Sequence, residues 1–84
     1  MRLVWDENAW ADYVWWQTED RRVLRRINAL KDIERNGNGG IGKPEPLRRG
    51  FRGYWSRRIT DEHRLIHRID HDEIRVAACR CHYG

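Results

Sequence analysis

Eighty-four residues make one small domain, and a domain of this size buries only about 60 to 65% of the surface its unfolded chain exposes, so every large apolar side chain counts. Seventeen Lys plus Arg stand against thirteen Asp plus Glu, a formal charge of +4, while five tryptophans supply core volume at roughly 150 to 250 Å² per aromatic side chain. Asp6, Glu7 and Asp12 intervene before any long apolar run, so neither a secretory signal nor a membrane span is expected in the first residues, and Cys79 and Cys81, the whole cysteine complement, exclude a disulfide framework.

In chain order, residues 2–5 form a short apolar run that predicts a strand, ending where Asp6 caps a following helix. Over residues 7–17 the positions Trp10, Tyr13 and Val14 recur at helical spacing, with the adjacent Trp15 and Trp16 about 100° apart on that helix. Thr18 reads as the N-cap of a second helix with Glu19 and Asp20 in its first turn, where the helix dipole favours negative charge. Val23, Leu24, Ile27, Leu30 and Ile33 trace its apolar face, and Arg21, Arg22, Arg25, Arg26 and Arg35 its solvated one. Four glycines and two asparagines in residues 36–42 predict a loop, and no phosphate-binding signature follows, because Lys43 precedes a proline instead of opening a helix.

Beyond Pro46 short runs alternate with turn residues. Residues 47–49 and 54–59 suggest a hairpin, and the turns at 60–62 and 70–72 bracket strands over 63–69 and 73–81. The expected architecture is α+β: two N-terminal helices packed on one face of an antiparallel twisted sheet, the other face free to bind, with residues 1–84 as a single domain.

From Lys43 onward ten Lys and Arg, Arg57 and Arg58 among them, stand against six Asp and Glu, so the strands are expected to carry a basic surface suited to a polyanion. That basic stretch also holds one carboxylate between two prolines, Glu45, and a histidine near the end, His82. The combination suits cutting RNA without a metal: a base takes the proton of a ribose 2'-hydroxyl, fixed cations meet the charge that builds on the phosphoryl oxygens, and an acid protonates the departing 5'-oxygen. Each residue also has an ordinary reading. Glu45 could be a loop glutamate, Arg58 and Arg64 could form surface ion pairs with Asp61 or Glu62, and Trp55 and Tyr83 could be core aromatics instead of stacking surfaces. Cys79, Cys81 and His82 are too closely spaced for a structural zinc site, so no metal is expected, and reduced thiols fit a cytoplasmic protein.

Four segments carry a more specific signal: Gly42-Lys43-Pro44-Glu45-Pro46-Leu47, Trp55-Ser56-Arg57-Arg58-Ile59-Thr60, Glu62-His63-Arg64-Leu65 and Ala77-Ala78-Cys79-Arg80-Cys81-His82-Tyr83. With Trp5, Trp10, Tyr13, Trp16 and Gln17 in a similar pattern, they resemble the YoeB toxins of the RelE superfamily over nearly the whole chain. The resemblance implies a RelE-like fold and the toxin of a type II toxin–antitoxin pair, a metal-independent endoribonuclease with no cofactor that cuts mRNA in the ribosomal A site. It carries the base to Glu45, the acid to His82 and the transition-state cation to Arg64, with Tyr83 beside them. Arg48, Arg58 and, in the same matched segment, Lys43 fall among the substrate-binding cations. Arg48 stands where the family often has lysine, which keeps the charge but excludes proton transfer from that side chain. The implied partners are a YefM-like antitoxin, the 70S ribosome with its mRNA, promoter DNA only through the toxin–antitoxin complex, and a second copy in a homodimer. Without the resemblance, a non-catalytic basic module for RNA or an acidic peptide would account for the charge asymmetry.

Overall fold

The computed structural model describes residues 2–30, 42, 44–47 and 53–80. The chain runs β1 (Arg2–Trp5), α1 (Glu7–Glu19), α2 (Arg21–Leu30), β2 (Glu45–Pro46), β3 (Trp55–Arg58), β4 (Arg64–Ile69) and β5 (Glu73–Ala78). The strands form one sheet in the order β1-β5-β4-β3-β2. Among the described residues no helix is long and apolar enough to cross a membrane.

Three of the four pairings are antiparallel, as expected, but β1 lies parallel to β5, so the sheet is mixed. The physical reason is topological. Strand alternation says which residues share a face, not which way a strand runs, and β1 joins the far edge of the sheet across a connection that includes both helices.

The helices also start and stop differently from the local signals. Helix α1 continues to Glu19 and takes in Thr18, whose hydroxyl donates to Trp15 O at 3.1 Å, a back-bond that serine and threonine make inside helices. The cap of α2 is Asp20 instead: its Oδ1 accepts from Arg22 N at 2.9 Å and Val23 N at 3.5 Å. Glu19 and Asp20 therefore precede α2 instead of forming its first turn. Asp6 stands at the start of α1 with extended backbone but makes no side-chain cap, because its carboxylate accepts from Arg75 Nη1 at 3.0 Å.

Leu3 and Trp5 of β1 share a face with their partners Ile74 and Val76 of β5, and the helices cover that face. The core joins Ala9 and Trp16 of α1, Val23 and Ile27 of α2, Leu65, Ile74 and Val76 of the sheet, and Ile59 and Cys79 just past strand ends. Trp16 is buried and Trp15 half-buried against it. The Leu30 side chain and Ile33, both assigned to the apolar face of α2, lie outside the described residues, as does the glycine-rich segment apart from Gly42.

Between Ile66 and His67 the β4–β5 register shifts, so Ile66 faces Ala78 and His67 faces Val76. Leu65, His67 and Ile69 thus stay on the helix side, with Trp55 opposite His67 and Arg57 opposite Leu65 on β3. Arg57, one of the cations expected on the basic surface of the strands, is instead fully buried. Adjacent strand residues point to opposite faces, so of Arg57 and Arg58 only one can reach the open side.

A carboxylate and arginines on the uncovered face of the sheet

Glu45 stands opposite Ser56, Ser56 opposite Ile66, and Arg58 opposite Arg64. Ser56 and Arg58 are two residues apart on β3, so Glu45, Arg58 and Arg64 project from one face, the face the helices leave uncovered. Arg58 is the diagonal cross-strand neighbour of Glu45, at roughly 7 to 8 Å, and the backbone of Arg64, two strands over, lies roughly 12 Å from that of Glu45 at ordinary strand spacing and rise. Buried Ser56 and Ile66 form the floor, Glu45 and Arg58 are exposed, and Arg64 is half-buried.

Local chemistry fixes the Glu45 strand. It is the edge of the sheet, where Pro46 can sit without a ladder donor. Flanking bonds hold both ends: Arg58 N donates to Gly42 O at 2.7 Å, and Leu47 N donates to Tyr54 O at 2.9 Å. Gly42 and Gly53 have φ of 87° and 90°, the left-handed region that glycine enters without strain, and they permit the chain to turn on either side of this pairing.

Arg64 is positioned by the β3–β4 turn. Its Nη1 donates to the carbonyl oxygens of Thr60, His63 and Asp61 at 2.8, 3.2 and 3.3 Å. Thr60 Oγ1 in turn accepts from His63 N at 3.1 Å and Glu62 N at 3.2 Å, closing the turn. The contact with Asp61 is thus to its backbone, and among the described residues Arg64 forms no ion pair with Asp61 or Glu62. A guanidinium held by one amino group keeps its remaining donors for an anion.

Helix α1 grips the end of β5. Trp16 Nε1 donates to Cys79 O at 2.9 Å, Asn8 Nδ2 donates to Ala77 O at 2.8 Å, and Cys79 Sγ donates to Ala9 O at 3.5 Å. The Arg80 guanidinium lies 3.7 Å from the centroid of the Trp15 ring, and Trp16 meets the His63 ring edge-on at 4.8 Å. Burial, seconded by the charge of Asp12, pushes the Cys79 thiol up to about 12, so Cys79 serves as a protonated packing group and not as a nucleophile. Burial also raises the Asp12 carboxyl, against the opposing pull of Arg80 and a backbone hydrogen bond to Cys79.

Of the site residues expected from sequence, the described structure brings Glu45, Arg58 and Arg64 to one face. Lys43, Arg48, His82 and Tyr83 lie outside the described residues. Trp55 points to the helix side, away from Glu45, which removes it as a stacking surface there. Two residues on the open face escaped the sequence reading: Tyr54, and Arg68 with its guanidinium 5.3 Å from the Tyr54 ring centroid. The signal was present, since Tyr54, Ser56 and Arg58 share one parity along β3 and Arg64, Ile66 and Arg68 share one along β4.

Two helices on one side of a five-stranded mixed sheet, with a glutamate among arginines on the other, define a small α+β domain built to present one polar sheet face. Residues 5–83 match the family described as YoeB-like toxin of bacterial type II toxin-antitoxin system. The toxin YoeB of Escherichia coli K12 is 50% identical over 84 residues, which span 99% of this chain and 100% of that relative. A YoeB/ParE toxin from Agrobacterium tumefaciens superposes with a TM-score of 0.95 at 45% identity, covering 99% of this chain and 100% of that one. The Staphylococcus aureus YoeB, solved as a dimer and in a heterotetrameric YoeB-YefM complex, gives a TM-score of 0.91 at 42% identity, with 99% and 98% covered in both. The chain belongs to the YoeB-like toxins of bacterial type II toxin–antitoxin systems.

Proposed function

We propose that this toxin is a metal-independent endoribonuclease that cuts mRNA in the ribosomal A site and so stops translation. Glu45 takes the proton from the 2'-hydroxyl, whose oxygen attacks the adjacent phosphorus. Arg64 and Arg58 meet the charge that develops on the phosphoryl oxygens, with Arg48 and Lys43 holding the neighbouring phosphates and Tyr83 holding substrate. His82 protonates the departing 5'-oxygen, leaving a 2',3'-cyclic phosphate and a free 5'-hydroxyl. The single observation that carries this reading is the cross-strand placement of Glu45 beside Arg58 and Arg64 on the uncovered face.

The Staphylococcus aureus relative assembles with YefM and as a dimer, which supports a YefM-like antitoxin and a homodimer for this chain. The antitoxin is expected to cover the basic face and displace the C-terminal segment, and the pair to repress its own promoter, all in the cytoplasm where ribosomes are. A cation-rich sheet face suits both an RNA and an acidic antitoxin segment.

The deciding experiment follows 5'-end formation on programmed ribosomes. Glu45→Gln is expected to slow cleavage by about 10² to 10⁴-fold with ribosome affinity unchanged. Undiminished cutting by Glu45→Gln, His82→Ala double variants would overturn the assignment. Metal independence is read separately: sulfur in place of a non-bridging oxygen at the cut should slow the reaction without rescue by a thiophilic cation.

A further inference from the structure

Along β3, Glu45 has a neighbour on each side. Arg58 lies on one side of its partner Ser56, and Tyr54, two residues back, lies on the other. Tyr54, one residue before the Trp55–His67 pair, lies beside Arg68, which is two residues past Ile66 on β4 and on the same face, opposite the helices. The pair is thus displaced from the Glu45 row by two strand residues, roughly 7 Å, which is about one step of an extended nucleotide.

The geometry of Arg68 is specific. Its Nε and Nη2 donate to Asp70 Oδ2 at 3.2 and 2.8 Å, while its guanidinium carbon lies 5.3 Å from the Tyr54 ring centroid. The two charged side chains are 39% and 42% exposed, so the fork is open to solvent. Asp70 orients the guanidinium through these two bonds and offsets much of its charge at short range. A cation so paired contributes little to the general attraction of a polyanion. What remains is a half-exposed flat group beside an aromatic ring, the kind of surface on which an unstacked base of single-stranded RNA lies. Arg58 is the contrast: it is exposed, and no carboxylate pairs with it among the described residues.

We propose that Tyr54 and Arg68 form a stacking subsite for the base of a nucleotide flanking the scissile phosphate. The inference rests on the nuclease reading of Glu45 and deepens it: the arginines near Glu45 hold phosphate, and Tyr54 with Arg68 holds a base. Stacking at this subsite sets the substrate register, so that the 2'-hydroxyl to be activated falls next to Glu45 and not one nucleotide away.

The test uses the full-length toxin and ribosomes programmed with mRNAs that carry one abasic residue on either side of the cut. For the wild type, the abasic residue at one flank should lower kcat/KM by about tenfold, the scale of one lost base–aromatic stack. In Arg68→Gln and in Tyr54→Leu, intact and abasic mRNAs should be cut at equal efficiency, whereas Tyr54→Phe, which keeps the ring, should retain the penalty. The salt dependence of Arg68→Gln should match the wild type, while that of Arg58→Gln is shallower by about one phosphate contact. An abasic penalty that persists unchanged in Arg68→Gln overturns the subsite. A shallower salt slope in Arg68→Gln also overturns it, since that marks a phosphate contact. If the wild type cuts neither mRNA, the nuclease reading fails instead, and the same abasic comparison read as affinity for the programmed ribosome still decides whether a base stacks here.

Discussion

The indole N–H of Trp16 reaches the carbonyl oxygen of Cys79 at 2.9 Å inside the core, and the same ring sits edge-on against His63. One side chain of α1 therefore touches both the end of β5, two residues before residues 81–84, and the turn whose carbonyls hold Arg64. Trp16→Phe keeps most of the ring but removes the donor, leaving a buried carbonyl unsatisfied at a cost of about 1 to 3 kcal/mol. Denaturant melts should show that loss. If this contact positions the chemistry, the cleavage rate falls while ribosome affinity holds.

On the proposed mechanism the Arg64 guanidinium meets both the turn carbonyls, to which its Nη1 donates, and a phosphate. Lysine can satisfy a carbonyl or a phosphate but lacks the fork that serves both. Arg64→Lys is therefore expected to fold with a loss of about 1 kcal/mol and to lose at least about 10²-fold in cleavage rate. Near wild-type cleavage by the lysine variant would show that no bidentate contact forms.

His67 is fully buried, and neither ring nitrogen has a hydrogen-bond partner among the described residues. Burial, and then the charge of Arg57, lowers its pKa from 6.5 to about 4. The unfolded chain accepts this proton near 6.5 and the folded chain only near 4. Stability from His67 is thus complete above pH 6.5 and falls on acidification, at up to about 1.4 kcal/mol per pH unit, levelling below about pH 4. Urea melts between pH 7 and 5 should show a shallower decline for His67→Phe than for wild type.

The α1–α2 junction gives a paired test of the cap. Asp20→Ala should cost about 1 kcal/mol because two backbone donors of α2 lose their acceptor. Thr18→Ala should change stability by less than about 0.5 kcal/mol, since that hydroxyl only back-bonds to a helical carbonyl. Equal losses in the two variants would contradict the observed boundary.

Thr18 and Asp20 also show where reading along the chain stops. Both residues are good caps, and the choice between them depends on α1 continuing until Trp16 has packed on Cys79, a contact 63 residues away. Arg57 and Arg58 make the same point within the site. The sequence marks both as basic, but which one enters the core depends on the phase of β3 relative to the sheet. Glu45 was legible because two prolines and a family motif mark it; Tyr54 and Arg68 were not, because they become neighbours only when β3 and β4 pair.

Sequence alone determined the kinds of element, the excess of cations from Lys43 onward, and the motifs that relate this chain to the YoeB toxins, since periodicity, charge and short patterns are local properties. Tertiary structure decided the parallel placement of β1, the burial of Arg57 and His67, and the placement of Glu45, Arg58 and Arg64 together on the sheet face opposite the helices. Those outcomes depend on strand direction and register, which are set by packing between segments far apart in the chain.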